Sequence, residues 1–480
     1  MSMRRALAFS YAEKYGSYLL GMASTMIVSR LLGPADIGVF AVGMALVGIV
    51  AVIREFGVST YLIQEADLSE ERIRAAFTLT VGVGIGLAVV VALLSYPAGI
   101  FYADSKVTSV IAILALNFAL TPFGSVSQAL LTREMRFGTL TWIRLLQSLM
   151  LAVGAVGLAA AGLGPQSLAW AAVLATSVNG VVSMIVRPHA MRLTLSRPDL
   201  ARVFAVGGPA TAINIIDDLV TSMPELVLGR LQGLAAAGLF SRARGLSQMA
   251  HQLLARAAGP VFLAVFAERQ REGEPLAPLY AKATACVIGI GWPALAMLGV
   301  LAEPVVRVLF GSDWLAVVPL LRWLSVVAAI SLLTSGAHHL LLASGGARDV
   351  MVAKLVALPV HALCLLVGAN FGVVWIAIAM VLSTGFASAL LALAIRRRLG
   401  IGLRAQLAPA ILSAPLTLAS AAGSALALLI PLPGSSVHAL VPLFAGGVAG
   451  AALALAALWA GSHPLRGEFA RAAGQLLRSR

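Results

Sequence analysis

Arg30-Leu31-Leu32-Gly33-Pro34-Ala35-Asp36-Ile37-Gly38-Val39-Phe40 is answered 200 residues later by Arg230-Leu231-Gln232-Gly233-Leu234-Ala235-Ala236-Ala237-Gly238-Leu239-Phe240. Each stretch closes one apolar segment and opens the next. A block duplicated at that spacing in an apolar chain predicts a membrane transporter made of two similar halves, with its substrate site between them.

Composition agrees. The chain is 60% hydrophobic and 11% charged, with a mean hydropathy of +0.95. A soluble domain is nearer half apolar and a quarter charged. Apolar blocks long enough to cross a bilayer as helices recur throughout. The formal net charge is +14, but most arginines sit in short loops between apolar segments. That placement points to membrane topology and anionic headgroups, and no basic patch interleaved with exposed aromatics suggests nucleic acid as a partner. Cys286 and Cys364 fall inside expected spans without a CxxC neighbour, which argues against a disulfide framework or a zinc site. Arg4 and Arg5 precede an apolar segment that runs to Arg30 without an A-x-A-type site, so it reads as a retained first helix.

The expected fold class is an all-α polytopic membrane protein with fourteen spans, near 8–30, 37–53, 76–100, 108–131, 145–162, 167–186, 204–229, 235–266, 283–302, 317–342, 352–369, 372–395, 407–430 and 439–460. A six-helix bundle over 1–186 leads through a basic cytoplasmic linker, 187–203, to a second six-helix bundle over 204–396. Residues 397–480 add two helices and a basic cytoplasmic tail. With both termini in the cytoplasm, cytoplasmic segments hold most of the Lys and Arg, including Arg133, Arg136, Arg187, Arg348 and Arg396 to Arg398. The outer side holds Arg30, Lys106, Arg230, Arg307 and Arg322, which is the expected bias. The repeat also extends beyond its first block, since Phe101-Tyr102-Ala103-Asp104 precedes the fourth span and Phe310-Gly311-Ser312-Asp313 the tenth. An even number of spans per copy makes the repeats parallel.

Arg-Leu-x-Gly has a structural reading. The arginine complements the dipole of a helix C-terminus, and the glycine suits a left-handed cap. Pro34 and Asp36 suit the first turn of the next helix. The charges within the spans are more telling. Asn214, Asp218, Thr221, Ser222 and Glu225 share one helical face, with Asp217 at its edge and Pro224 positioned to kink the helix. Such a stripe should face protein or a water-filled cavity. The next span carries Arg242, Arg244, His251 and Arg256. Arg242 and Arg256 share one face, while Arg244 and His251 share a nearly opposite one. Either these groups pair with Glu225 across the hairpin, or the arginines line a cavity of positive potential that attracts phosphate or acidic sugar. The first half repeats the scaffold without the charge, because Val42, Met44 and Ala51 occupy the places of Arg242, Arg244 and His251. Lys14, beside Glu13, is the polar candidate there. Gly82, Gly84 and Gly86 read as close helix packing, and adjacent His338 and His339 diverge too far to share a metal. No Walker A, HExxH or GxSxG sequence is present, so no cofactor, metal or ATP is expected, and transport would draw on a gradient.

Residues 29–64 (SRLLGPADIGVFAVGMALVGIVAVIREFGVSTYLIQ) resemble the start of bacterial oligosaccharide flippases. These are the O-antigen and exopolysaccharide branch of the multidrug/oligosaccharidyl-lipid/polysaccharide exporter superfamily. Residues 130–137 (LLTREMRF) look like that family's fourth-span exit, and 226–244 (LVLGRLQGLAAAGLFSRAR) like its seventh-to-eighth hairpin. The resemblance implies an inverted-V, alternating-access protein of the cytoplasmic (inner) membrane. It would move oligosaccharide on undecaprenyl pyrophosphate between leaflets, amid membrane lipids and the polysaccharide polymerase machinery, and would not be an enzyme. Arg242, Arg244, Arg256, Lys14, Asn214 and Ser222 are the substrate-binding candidates; Asp218 and Glu225 are the coupling candidates. The alternatives are a cation-coupled multidrug antiporter and a lipid II flippase of the same superfamily.

Overall fold

The computed structural model describes residues 3–54, 58–65, 68–188, 200–429 and 439–468, excluding the side chains of 3–12, 53, 60, 64, 200–213, 250–261, 263 and 264. Most of the expected linker and of the basic tail lies outside the described residues. The elements are α1 Met3–Leu31, α2 Pro34–Arg54, α3 Val58–Gln64, α4 Glu70–Tyr102, α5 Ser105–Arg133, α6 Phe137–Ala160, α7 Gln166–Val186 and α8 Leu200–Leu231. There follow α9 Leu234–Arg271, α10 Leu276–Val300, α11 Ala302–Leu309, a 3-10 turn at Ser312–Trp314, α12 Val317–Ala343, α13 Ala347–Ala369, α14 Val373–Leu399, α15 Leu403–Ala427 and α16 Leu440–Ala460.

Each expected span coincides with one long helix. Among the described residues, eleven helices are long and apolar enough to cross a membrane. Backbone groups in a bilayer must be satisfied within the segment, so an apolar chain of this kind becomes helix throughout its core. Local chemistry sets the ends. Ser69 caps α4 by accepting from the Arg72 N–H, with Glu70 and Glu71 in the first turn. Asp104 caps α5 by accepting from the Lys106 N–H at 2.8 Å. The short helices α3 and α11 were not among the expected elements.

The chain forms two compact units, Met1–Gly238 and Leu239–Arg480. In the first, α5 packs on α4 and α7, α6 packs on α1 and α7, and α2 and α3 pack on α5 and α8. Its core gathers Val39, Val107, Val110, Ile111, Leu114 and Phe118. In the second, α12 packs on α10 and α14, α13 on α14, and α15 on α10 and α16. The run α4–α5–α6–α7 thus recurs as α10–α12–α13–α14. An ion pair recurs with it. Arg187, closing α7, donates to Glu134 in the α5–α6 turn at 2.6 Å, and Arg398, near the end of α14, donates to Asp349 in the first turn of α13 at 3.0 Å. Of the three spaced glycines in α4, Gly84 lies against the Phe118 carbonyl and Pro122 of α5, whereas Gly82 and Gly86 have nothing close to them.

The repeated hairpin corrects one detail of the sequence reading. Arg30 and Arg230 lie in the last turns of α1 and α8, and Pro34 begins α2. Gly233 adopts the left-handed conformation expected of a cap, at φ +88°, but Gly33 does not. The difference follows from the next residue, because Pro34 steers its predecessor toward extended backbone while Leu234 imposes no such constraint.

Candidate functional site

The polar stripe of α8 is divided by the structure. Asp218, Ser222 and Glu225 follow the i, i+4, i+7 spacing of one face, which Gly229 continues. Ser222 and Gly229 are buried, Glu225 is fully buried, and Asp218 is half-buried. This face packs on α2. The Asp218 carboxylate occupies the space left by Gly48, where a Cβ would stand 3.1 Å from Asp218 Oδ2. Asn214, Asp217 and Thr221 form an adjacent, exposed face, on which Thr221 Oγ1 donates to the Asp217 carbonyl at 2.7 Å. The helix continues unbroken through Pro224.

Toward the other end of α8 the contacts are aromatic. The Tyr102 hydroxyl donates to the Leu226 carbonyl at 3.2 Å, and the Arg230 guanidinium lies 5.1 Å from the Phe101 ring centre. From the last turn of α8, Arg230 thus reaches a ring of α4.

α2 ends in a cation that is not among the sequence-derived candidates. Arg54 Nη1 donates to Thr121 Oγ1 of α5 at 3.0 Å, and its guanidinium lies 5.8 Å from the Phe118 ring. Its position at the end of an apolar run was the available signal. On α1, Lys14 is exposed, and Glu13 pairs with Arg144 of α6 at 3.5 Å.

α9 buries Ala236, Ala237, Phe240, Ala243 and Ser247 along one stripe, fixed on α12 by a 2.8 Å bond from Ser247 Oγ to the Leu324 carbonyl. Arg242 and Arg244 flank this stripe on opposite sides, and both are half-buried. The Arg242 Nε is shielded from solvent and has no hydrogen-bond partner among the described residues. Arg256 and His251 lie in α9, but their side chains fall outside the described residues. No Asp or Glu interrupts α9 between Leu234 and Ala267. A guanidinium held in such a helix suits a phosphate or carboxylate ligand, whereas the acid face of α8 suits a proton or cation.

A polar network absent from the sequence-derived candidates ties the first unit together. Gln128 Nε2 donates to Asn179 Oδ1 at 2.7 Å, and Asn179 Nδ2 donates to Gln147 Oε1 at 2.6 Å, joining α5, α6 and α7.

Comparison with known proteins places the chain. The lipopolysaccharide biosynthesis protein WzxC of Escherichia coli (strain K12) is 27% identical over 317 residues, covering 65% of this chain and 64% of that protein. The succinoglycan biosynthesis transport protein ExoT of Rhizobium meliloti (strain 1021) is 26% identical over 333 residues, covering 68% of this chain and 67% of that protein. The chain therefore aligns with about two thirds of the length of these relatives. Among solved structures, lipid II flippase MurJ in an inward closed conformation superposes with a TM-score of 0.71 at 12% identity, covering 93% of this chain and 98% of that one. An inward-facing multidrug resistance MATE family transporter of the MOP superfamily superposes with a TM-score of 0.66 at 17% identity, over 80% and 94%. These likenesses establish the fold. The family described as "Polysaccharide biosynthesis protein" matches residues 27–319, more than half of the sequence, and the chain belongs to it.

Proposed function

We propose that this protein is a flippase that moves lipid-linked oligosaccharide, carried on undecaprenyl pyrophosphate, across the cytoplasmic membrane for surface polysaccharide synthesis. The observation that carries the proposal is Arg242, a half-buried guanidinium with an unbonded Nε on a helix whose membrane part has no carboxylate. Lipid pyrophosphate is an anion of matching chemistry that arrives within the bilayer. Arg244 and Arg256 would extend the positive surface, with Lys14, Asn214 and Ser222 contacting sugar. Asp218 and Glu225 would couple flipping to protons. The halves 1–186 and 204–396, joined by 187–203, would alternate access, with both termini cytoplasmic and residues 397–480 adding two helices and a tail. The product would pass to the polysaccharide polymerase machinery, and the chain would perform no catalysis of its own.

The test is complementation of cells lacking their own flippase. Arg242→Ala with Arg244→Ala is expected to lower surface polysaccharide about tenfold or more at equal protein level. Wild-type levels in that variant would remove the cationic site. A second reading, cation-coupled drug antiport, is favoured by the buried acid of α8; efflux of a cationic dye that depends on Glu225 would support it instead.

A further inference from the structure

A crevice of about 520 Å³ lies between the start of α13 and the end of α14 in the second unit. Its mouth is lined by Arg348, Arg397, Arg398 and Asp349, three guanidiniums against one carboxylate. Arg398 is already committed. It donates to Asp349 through Nη1 at 3.0 Å and to the Ser344 carbonyl through Nε and Nη2 at 3.2 and 3.0 Å. The equivalent pair Arg187–Glu134 in the first unit shows that this bond is part of the duplicated scaffold. Arg348 and Arg397 are the surplus. Both are exposed, and among the described residues neither has a hydrogen bond or ion pair.

Behind this mouth the walls are apolar. Leu390, Leu393 and Ala394 share the face of α14 that ends in Arg397, and Val352 and Val356 continue the face of α13 that begins at Arg348. Val352 is 47% exposed, Val356 46% and Leu393 40%, on helices apolar enough to cross the membrane, so these walls border hydrocarbon and not water. The crevice is charged at the helix ends, where headgroups lie, and greasy toward the helix middles, where chains lie.

We infer that this crevice seats an anionic phospholipid, its phosphate held by Arg348 and Arg397 and an acyl chain against Val352, Val356, Leu390 and Leu393. Guanidiniums bind phosphate oxygens through paired N–H groups, and basic pockets between membrane helices select anionic headgroups for that reason. The Arg398–Asp349 pair, at the same mouth, keeps the carboxylate from neutralising its neighbours. The assignment stands whether or not the chain is a flippase.

Native mass spectrometry of the full-length protein in detergent, titrated with phosphatidylglycerol, phosphatidylcholine or inorganic phosphate, tests it. Wild type is expected to retain phosphatidylglycerol in preference to phosphatidylcholine. The R348Q/R397Q variant is expected to bind phosphatidylglycerol about 30-fold more weakly. Val356→Trp, which fills the apolar wall without touching the charges, is expected to lose the same lipid and gives an independent result if the double variant does not fold. Equal phosphatidylglycerol binding by wild type and either variant would overturn the assignment. So would equal affinity for phosphatidylcholine. Displacement of the lipid by equimolar inorganic phosphate would mean that the arginines serve a free anion, and would overturn it too.

Discussion

Gly38 of α2 and Gly238 of α9, equivalent positions of the repeat, lie against each other's backbone. A Cβ on Gly38 would overlap the Leu234 carbonyl and stand 3.0 Å from the Gly238 nitrogen. A Cβ on Gly238 would overlap the Pro34 carbonyl and stand 2.8 Å from the Gly38 nitrogen. The duplicated motif therefore meets its own copy, and both glycines are required by the close approach of two helix starts. A backbone carbonyl cannot rotate away as a side chain can, so Gly38→Val must force the two starts apart. Overpacking of this kind costs about 1–3 kcal/mol, which shifts a closed-to-open ratio by about tenfold or more. Ala237, at 0% exposure, reports the opening. With Cys286 and Cys364 replaced by Ser, Ala237→Cys should react slowly with a membrane-impermeant maleimide, and about tenfold faster once Gly38→Val is added. Unchanged labelling in a folded double variant would show that this contact does not close the end of the helix pair.

The two acids of α8 should separate by burial. Glu225 is fully buried, whereas Asp218 is half-buried and sits over Gly48. A carboxyl without access to water is the one whose charge state is tied to conformation. Glu225→Gln is expected to slow the proposed flipping about tenfold in proteoliposomes and to abolish its response to an imposed pH gradient. Asp218→Asn should lower the rate by less and keep the response. A Glu225→Gln protein that still follows the gradient would assign coupling elsewhere.

The helices were legible because apolar runs of bilayer length have one solution in hydrocarbon, and the repeat at Arg30 and Arg230 aligned the two halves without saying which helices pack together. The polar stripe of α8 was legible by residue type and only partly by position. Periodicity put Asn214, Asp218, Thr221, Ser222 and Glu225 on one face, but a face is about 100° wide, and α2 covers only part of it. Lys14 and Glu13 were adjacent in sequence, yet Glu13 reaches Arg144, since neighbours on a helix diverge and the partner comes from another element. Arg54 was not a candidate because an arginine at a helix end resembles a topology signal until a tertiary partner such as Thr121 is known. The Gln128–Asn179–Gln147 network had no sequence signal, because neutral amides scattered over three spans show no period.

That network should matter for stability. Asn179 is buried, accepts from Gln128 and donates to Gln147. Asn179→Leu keeps the branched shape and takes a partner from each of two amides in a membrane helix bundle, each at a cost of about 1–3 kcal/mol. Thermal unfolding in detergent should fall by about 4 °C or more. Changing Gln128 and Gln147 to Leu as well should recover part of the loss, because removing all partners leaves no polar group stranded. A single variant with wild-type melting would mean that water or lipid headgroups already satisfy these amides.

His463 follows the last membrane helix and gives the fold a pH dependence whose sign can be worked out. The imidazole is 4% exposed and lies against Gly289 of α10. The Leu465 N–H donates to Nδ1 at 3.2 Å, so Nδ1 keeps its lone pair and the proton is on Nε2, which donates to Ser413 Oγ at 3.1 Å. Burial holds the histidine below its ordinary value of 6.5, since a charged ring would be desolvated there and would point a second proton at the Leu465 N–H. The unfolded chain takes up the proton at about 6.5 and the folded chain only at lower pH. The unfolded state therefore binds more protons in that interval. The stability contribution is full above about pH 6.5 and is lost as pH falls through that value toward the folded one. Melting temperature measured from about pH 8 to about pH 5 should drop more steeply for wild type than for His463→Gln, which keeps a donor to Ser413 and cannot titrate. Parallel curves would mean that the acid sensitivity resides in the carboxylates alone and that the α10–α15–α16 seam accepts a protonated ring.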